Sequence, residues 1–265
     1  MDFPSALRDR RTRRRISQLD LALRAGTTQR HVSFLESGRS EPGRAMVVRL
    51  AESLELPLRE RNSLLLAAGY APAYPQTSLK APELAPVREA LDRILAAHAP
   101  CPAVVVDRYG GLVAVNDHFA LLTEGADPEL VGPGANAYRL ALHPRGLAPR
   151  IGNFPAWARH VVEALRAEVS RNPDERLREL LAELEGYVPE VAPEEAHLGF
   201  AVPLELSVPD GPGLRLMTTV TTFATAVDVT VAELKLEAFL PVDGATAEYL
   251  AAAAAGRAAA GVTRT

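Results

Sequence analysis

Apolar side chains recur with helical spacing through the first seventy residues and with strand spacing in the last third of the chain. From Ser17 the sequence reads Ser-Gln-Leu-Asp-Leu-Ala-Leu-Arg-Ala-Gly. Ser17 is placed to cap a helix, Asp20 to answer that cap or favour the positive dipole end, and Gly26 to supply a left-handed stop. Thr27 or Thr28 caps a second helix over 29–37, with Val32 and Leu35 spaced i, i+3 and Gly38 marking its end. Two short helices are thus predicted to meet across a tight glycine turn. A third helix over 44–54 places Val47, Leu50, Ala51 and Leu54 on one stripe, and a fourth over 58–68 carries Leu64, Leu65 and Ala68. Residues 1–70 read as an all-α bundle.

Beyond Tyr70, the prolines of residues 71–82 have the character of a domain linker. A helix over 86–98 follows, with Val87, Leu91, Ile94 and Leu95 on one side. Next come a β-rich run at 102–107, a turn at Tyr109-Gly110-Gly111, a second run at 112–115, and Asn116 as cap for another helix. Asn153 is read as the cap of a helix striped by Phe154, Ala158, Val161, Leu165 and Val169, and Asn172-Pro173 as the opening of one carrying Leu177, Leu180, Leu181 and Leu184. The period then changes to two. Leu198, Phe200, Val202, Leu204, Leu206 and Val208 share one face, with Pro203 marking an edge strand or a bulge; a turn at Asp210-Gly211-Pro212-Gly213 leads to strands over 214–222 and 234–240. Residues 83–250 are therefore expected to form an α+β domain of about five antiparallel strands with helices on one side. The Ala-rich residues 251–265 are expected to be a fraying terminal helix.

Of the 265 residues, 48% are hydrophobic and 23% charged, which excludes a disordered chain. The single cysteine, Cys101, excludes a disulfide scaffold and is expected to be a buried, inert thiol. No apolar run reaches the ~18 residues of a membrane helix, and arginines rather than an apolar core follow the first residues, so a cytoplasmic protein is expected. Charge is unevenly spread. Residues 1–70 hold 13 Arg, no Lys and 8 acidic residues, a net of +5, while the remainder holds 16 basic against 25 acidic residues, a net of −9. Six arginines, Arg8, Arg10, Arg11, Arg13, Arg14 and Arg15, fall within eight positions, a density suited to phosphates.

With Val32 and Leu35 facing inward, Thr28, Gln29, Arg30, His31 and Ser33 point outward at the start of the second helix. A helix end so placed can enter a major groove, where Gln pairs with adenine and Arg with guanine. Gln29 and Arg30 are therefore assigned to bases. Gln18, Arg39, Arg44 and the arginine run, Arg14 included, are assigned to the phosphate backbone. The segment Ser17-Gln18…Ala25-Gly26…His31-Val32-Ser33-Phe34-Leu35-Glu36-Ser37-Gly38-Arg39 resembles the helix-turn-helix of XRE (Cro/repressor-type) regulators. Thr27 departs from the usual aliphatic residue and Gly43 from the usual Ser cap, the latter a matter of a few tenths of a kcal/mol. A packing or dimerisation bundle is the plain alternative for these helices.

A second resemblance covers residues 83–250. Val104-Val105-Val106-Asp107 with Asn116, the run from Asn136 to Pro144, the run from Gly146 to Asn153, Trp157, and Thr221-Thr222-Phe223-Ala224-Thr225…Asp228-Val229-Thr230…Glu233-Leu234 are similar to the ligand-binding domain of MmyB-like regulators. Ala224 stands where glycine is expected. The resemblance implies a PAS-like fold and a small apolar, fatty-acyl-type ligand. Arg139, His143, Arg150, Asn153 and Trp157 lie where a mouth for a carboxylate head is expected, although each also fits an ordinary structural role. No cofactor is expected. The six histidines lack metal-ligand spacing, and Asp107, Asp117 and His118 lack a nucleophile or second base, so neither a metal site nor catalysis is expected. The reading is a homodimeric regulator of double-stranded DNA that binds an inverted repeat and is modulated by ligand, with no membrane partner. A constitutive dimeric repressor with a ligand-free second domain is the alternative.

Overall fold

The computed structural model of the chain describes residues 2–189, 201–209 and 211–262. The N-terminal helices are α1 (Phe3–Arg13), α2 (Gln18–Arg24), α3 (Gln29–Glu36), α4 (Arg44–Ser53) and α5 (Leu58–Ala67). Then come α6 (Ala85–Ala97), β1 (Ala103–Val106), β2 (Leu112–Val115), α7 (Ala120–Thr123), α8 (Pro128–Val131), α9 (Ala137–Leu142), α10 (Phe154–Arg171) and α11 (Glu175–Glu185). The chain ends with β3 (Leu204–Leu206), β4 (Leu214–Thr222), α12 (Val229–Ala232), β5 (Lys235–Pro241) and α13 (Gly244–Val262). Two compact units result: Met1–Ala81 with Phe223–Ala232, and Pro82–Thr222 with Glu233–Thr265.

In the first unit the caps act as the sequence implies. The Ser17 hydroxyl accepts from the Asp20 amide at 3.0 Å and donates to its carboxylate at 2.6 Å. Gly26 sits at φ 60, the left-handed conformation that ends α2, and the Thr28 hydroxyl receives the His31 amide at 3.2 Å. Gly43 makes no side-chain cap. Leu21, Val32, Leu35, Val47, Leu50, Leu54, Leu64 and Leu65 form one core, each worth about 1.5–3 kcal/mol of burial. Arg8, Arg10, Arg11 and Arg13 of the arginine run belong to α1, a helix that their charge disguises, and Arg14 and Arg15 follow its end: Phe3, Ala6 and Leu7 bury one face of α1 in that core, and Asp2 caps it through the Ser5 amide.

Residues 71–81, expected as a linker, belong to this unit. Asn62 of α5 donates to the Tyr74 carbonyl at 2.7 Å and accepts the Ala73 and Tyr74 amides at 3.0 Å each. Residues 223–232, expected within the second domain, join it too: the Val229 amide donates to the Pro75 carbonyl at 2.8 Å, and Asp228 accepts the Thr77 amide at 2.9 Å.

The second unit is built on an antiparallel sheet which, among the described residues, has the strand order β2-β1-β5-β4-β3. β1 aligns Val104 with Glu237 of β5, and β4 aligns Val220 with that same residue, so the three side chains share a face. Val104, Val106, Phe239, Leu214 and Leu216 bury this face in the core with Leu140, Trp157, Val162, Leu165 and Leu177 of the helices. On α10 the buried stripe is Trp157, Ala158, Val162 and Leu165, shifted from the expected one, with Phe154, Val161 and Val169 only partly covered. Of the strand predicted through Val208, Leu204–Leu206 is the part that pairs as a strand among the described residues; it is an edge strand after Pro203, and Leu198, Phe200 and the turn residue Asp210 lie outside the described residues.

Two expected caps act otherwise. Asn116 turns inward to the Ala103 amide and the Cys101 carbonyl, fastening β1, while Asn153 donates to the Pro203 carbonyl and accepts the Glu205 amide, fastening β3. Asp174, not Asn172, caps α11. The terminal α13 continues through the Ala-rich stretch.

Candidate functional site

The turn between α2 and α3 leaves the start of α3 on the surface. Thr28, Gln29 and Arg30 are exposed, and His31 and Ser33 are half-buried, beneath which Val32 and Leu35 anchor the helix. The Thr27 hydroxyl lies 2.9 Å from His31 Nδ1 and holds the imidazole beside the helix start. Arg30 and Arg39 flank the Phe34 ring at 5.1 and 5.9 Å, contacts that steady two guanidinium groups near the outward face. Arg39 and Arg44 are exposed.

Below this surface lies a charge network not anticipated above. Glu36 has a fully buried side chain, and Arg11 reaches it through Nε at 2.6 Å and Nη2 at 2.9 Å. Gln18 Nε2 donates to the same carboxylate at 2.8 Å, which orients its amide at the start of α2 and leaves its second Nε2 proton unused by Glu36. Burial alone would raise the Glu36 pKa, but the bonds from Arg11 and Gln18 bring it below its ordinary value. Of the arginine run, Arg10 pairs with Glu60 and Arg13 with Asp9, while Arg14 donates to the Arg10 carbonyl at 3.4 Å. Part of the run therefore builds the fold rather than facing outward.

The five residues expected at a ligand mouth separate into two groups. Arg139 forms a two-pronged pair with Glu183 at 2.6–3.0 Å on the surface. His143 accepts the Arg145 amide through Nδ1 and meets the Tyr187 ring edge-on at 5.2 Å. Arg150 donates to the Leu122 and Ser207 carbonyls at 3.0 Å and Asn153 fastens β3, while Trp157 is buried in the core. All five serve contacts within the fold.

Polar groups on the helix-covered face of the sheet are less settled. Glu237 stands between Val104 and Val220, and burial raises its pKa against the opposing charge of Lys235. The Tyr138 phenol is pushed up to about 12, first by burial and then by the negative charges of Glu237, Glu168 and Asp107. Gly110, at φ 79, makes room for the Tyr138 ring, because a Cβ there would fall 2.4 Å from it. Thr218 Oγ1, on the same face, is buried with no hydrogen-bond partner among the described residues. Cys101 is half-buried, and burial raises its thiol pKa. Among the described residues, no three His, Cys, Asp or Glu side chains are grouped to hold a metal, and no helix is long and apolar enough to cross a membrane.

A helix-turn-helix with an outward second helix, followed by an α+β domain, defines a DNA-binding transcriptional regulator with a ligand-binding domain. Residues 7–61 match the helix-turn-helix family model and residues 87–253 match the MmyB-like transcription regulator ligand binding domain. The second match spans more than half of the chain, and the protein belongs to the MmyB-like transcription regulators. No curated protein matches it. Among solved structures, an RNA-binding Light-Oxygen-Voltage receptor is similar at 16% identity and a TM-score of 0.30, over 90% of this chain. The match spans 59% of that receptor's own length.

Proposed function

We propose that the protein acts in the cytoplasm as a homodimer on an inverted repeat of double-stranded DNA, and that a small apolar ligand in the second domain shifts its affinity for that site. The observation that carries the DNA half is the exposure of Thr28, Gln29 and Arg30 on a helix anchored from below by Val32 and Leu35. Gln29 and Arg30 read base edges, with His31 and Ser33 beside them; Gln18, Arg14, Arg39 and Arg44 hold the backbone. The two-fold operator follows from a two-fold protein. The strand order β2-β1-β5-β4-β3 with helices over one face supports a PAS-like reading of the second domain. The burial of Glu237 and Tyr138 beside the apolar core on the helix-covered face of the sheet supports an apolar ligand whose polar end is met by these two groups.

Binding to duplexes selected from a random-sequence pool tests the division of labour. Arg30→Ala is expected to cost about 1–3 kcal/mol at one base position and relax preference there. Arg14→Ala is expected to weaken all sequences alike and flatten the salt dependence. Identical behaviour of the two variants refutes the assignment. Native mass spectrometry of the purified protein reads subunit number and any retained small molecule; a monomer removes the inverted repeat from the proposal.

A further inference from the structure

Residues 223–232 leave the sheet immediately after Thr222 and return to it at Lys235, and these two residues form the last rung of the β4–β5 ladder. Any twist or slide of that ladder therefore moves both ends of the loop. The loop itself is built into the first unit. One oxygen of Asp228 accepts the Thr77 amide at 2.9 Å, and the other accepts the Thr230 and Val231 amides at 2.8 and 3.3 Å. Val229, 1% exposed, adds its amide bond to Pro75. Just upstream of Pro75 the chain is gripped by Asn62, which sits on α5. Leu64 and Leu65 of α5 share a core with Val32 and Leu35 of α3.

We propose that this loop is a latch through which the sheet of the ligand-binding domain and the DNA-reading helix bias one another, with Asp228 as the residue that fastens it. The inference rests on the DNA-binding reading above and adds the route of control. Each link is a direct bond or packing contact: the β4–β5 rung, the loop, residues 75–77, Asn62, α5 and the shared core under α3. A half-open hollow of about 560 Å³, lined by Arg59, Asn62, Leu66, Tyr74, Gln76 and Val229, remains beside the loop. Burial opposes the ionised form of Asp228, yet the bonds from Thr77, Thr230 and Val231 pull its pKa below the ordinary value, so the fastened state holds a carboxylate.

Coupling between two sites is reciprocal, so DNA can serve as the probe without an identified ligand. Hydrogen exchange read by mass spectrometry compares the full-length wild type, Asp228→Ala and Asp228→Asn, each with and without a duplex selected from a random-sequence pool. Without DNA, Asp228→Ala is expected to speed exchange at residues 73–77 by roughly tenfold or more and to reach into α5 and α3, leaving β1 and β2 unchanged. Asp228→Asn, which keeps the size and one acceptor, should fall between, and it carries the comparison if the alanine variant does not fold. With DNA, the wild type is expected to slow exchange at residues 223–232 and at the Thr222–Lys235 rung, an effect absent from Asp228→Ala. Unstructured exchange at 73–77 in the wild type, or the same pattern in the wild type and both variants, overturns the latch. Failure of the wild type to bind any duplex overturns the DNA-binding reading instead, and the DNA-free comparison of α5 and α3 still judges the latch.

Discussion

Glu36 is a carboxylate taken out of water, and the first unit tolerates it because Arg11 and Gln18 hydrogen-bond to its oxygens and the Arg8 guanidinium stands 3.8 Å away. Removing one partner strands the other. Glu36→Ala is expected to destabilise the protein by about 3–5 kcal/mol in urea denaturation, while Arg11→Met combined with Glu36→Leu should lose much less. The folded pKa lies below the ordinary carboxylate value, so the stability Glu36 contributes is complete above that value and is lost as pH falls through the folded one. The pair was within reach of the sequence: Val32, Leu35 and Glu36 fall at i, i+3 and i+4, which puts a charge on the buried stripe and demands a cation. That Arg11 and, at longer range, Arg8 answer it is a matter of how α1 docks. Likewise Thr27 stands out in the sequence only as a departure, and its hold on His31 emerges from the turn geometry.

Elements announced by local chemistry were legible. The second and third helices could be read because Ser17, Gly26 and Thr28 act through bonds only three or four residues long. Where long-range bonds decide, composition misleads. Residues 71–81 look like a linker by composition, yet the amide of Asn62, eleven and twelve residues upstream, turns them into part of a fold. Asn153 and Asn116 have the residue type of caps, but their amide oxygens accept strand N–H groups and their amide nitrogens donate to carbonyls of the chain leading into those strands. Asn62→Ala removes three hydrogen bonds at once and is expected to cost about 1–3 kcal/mol, with earlier proteolytic cleavage within residues 71–77 than in the wild type. Equal cleavage rates would mean that the strap is held by other contacts.

Across the whole molecule, opposite titrations work in the two units. Glu237, raised by burial in the second unit, favours folding in its protonated form, so its contribution is complete below the ordinary carboxylate value and is lost as pH rises through the raised one. Glu36 acts in the reverse sense. Thermal denaturation between about pH 4 and pH 8 should therefore show a loss of stability with rising pH that Glu237→Gln removes and Glu36→Gln does not. A profile unchanged by Glu237→Gln would remove that residue from the account.

The membership of residues 223–232 in the first unit also bears on how such proteins can be recombined. A fragment cut after residue 81 keeps all five helices of the bundle but loses Asp228 and Val229, leaving the Thr77 amide and the Pro75 carbonyl to water. A chimera joining this DNA reader to a foreign sensor at residues 71–82 severs the same bonds unless the host supplies an equivalent hairpin tip. The covalent boundary and the structural boundary do not coincide, and an exchange that respects only the first discards ten residues of the module it means to keep.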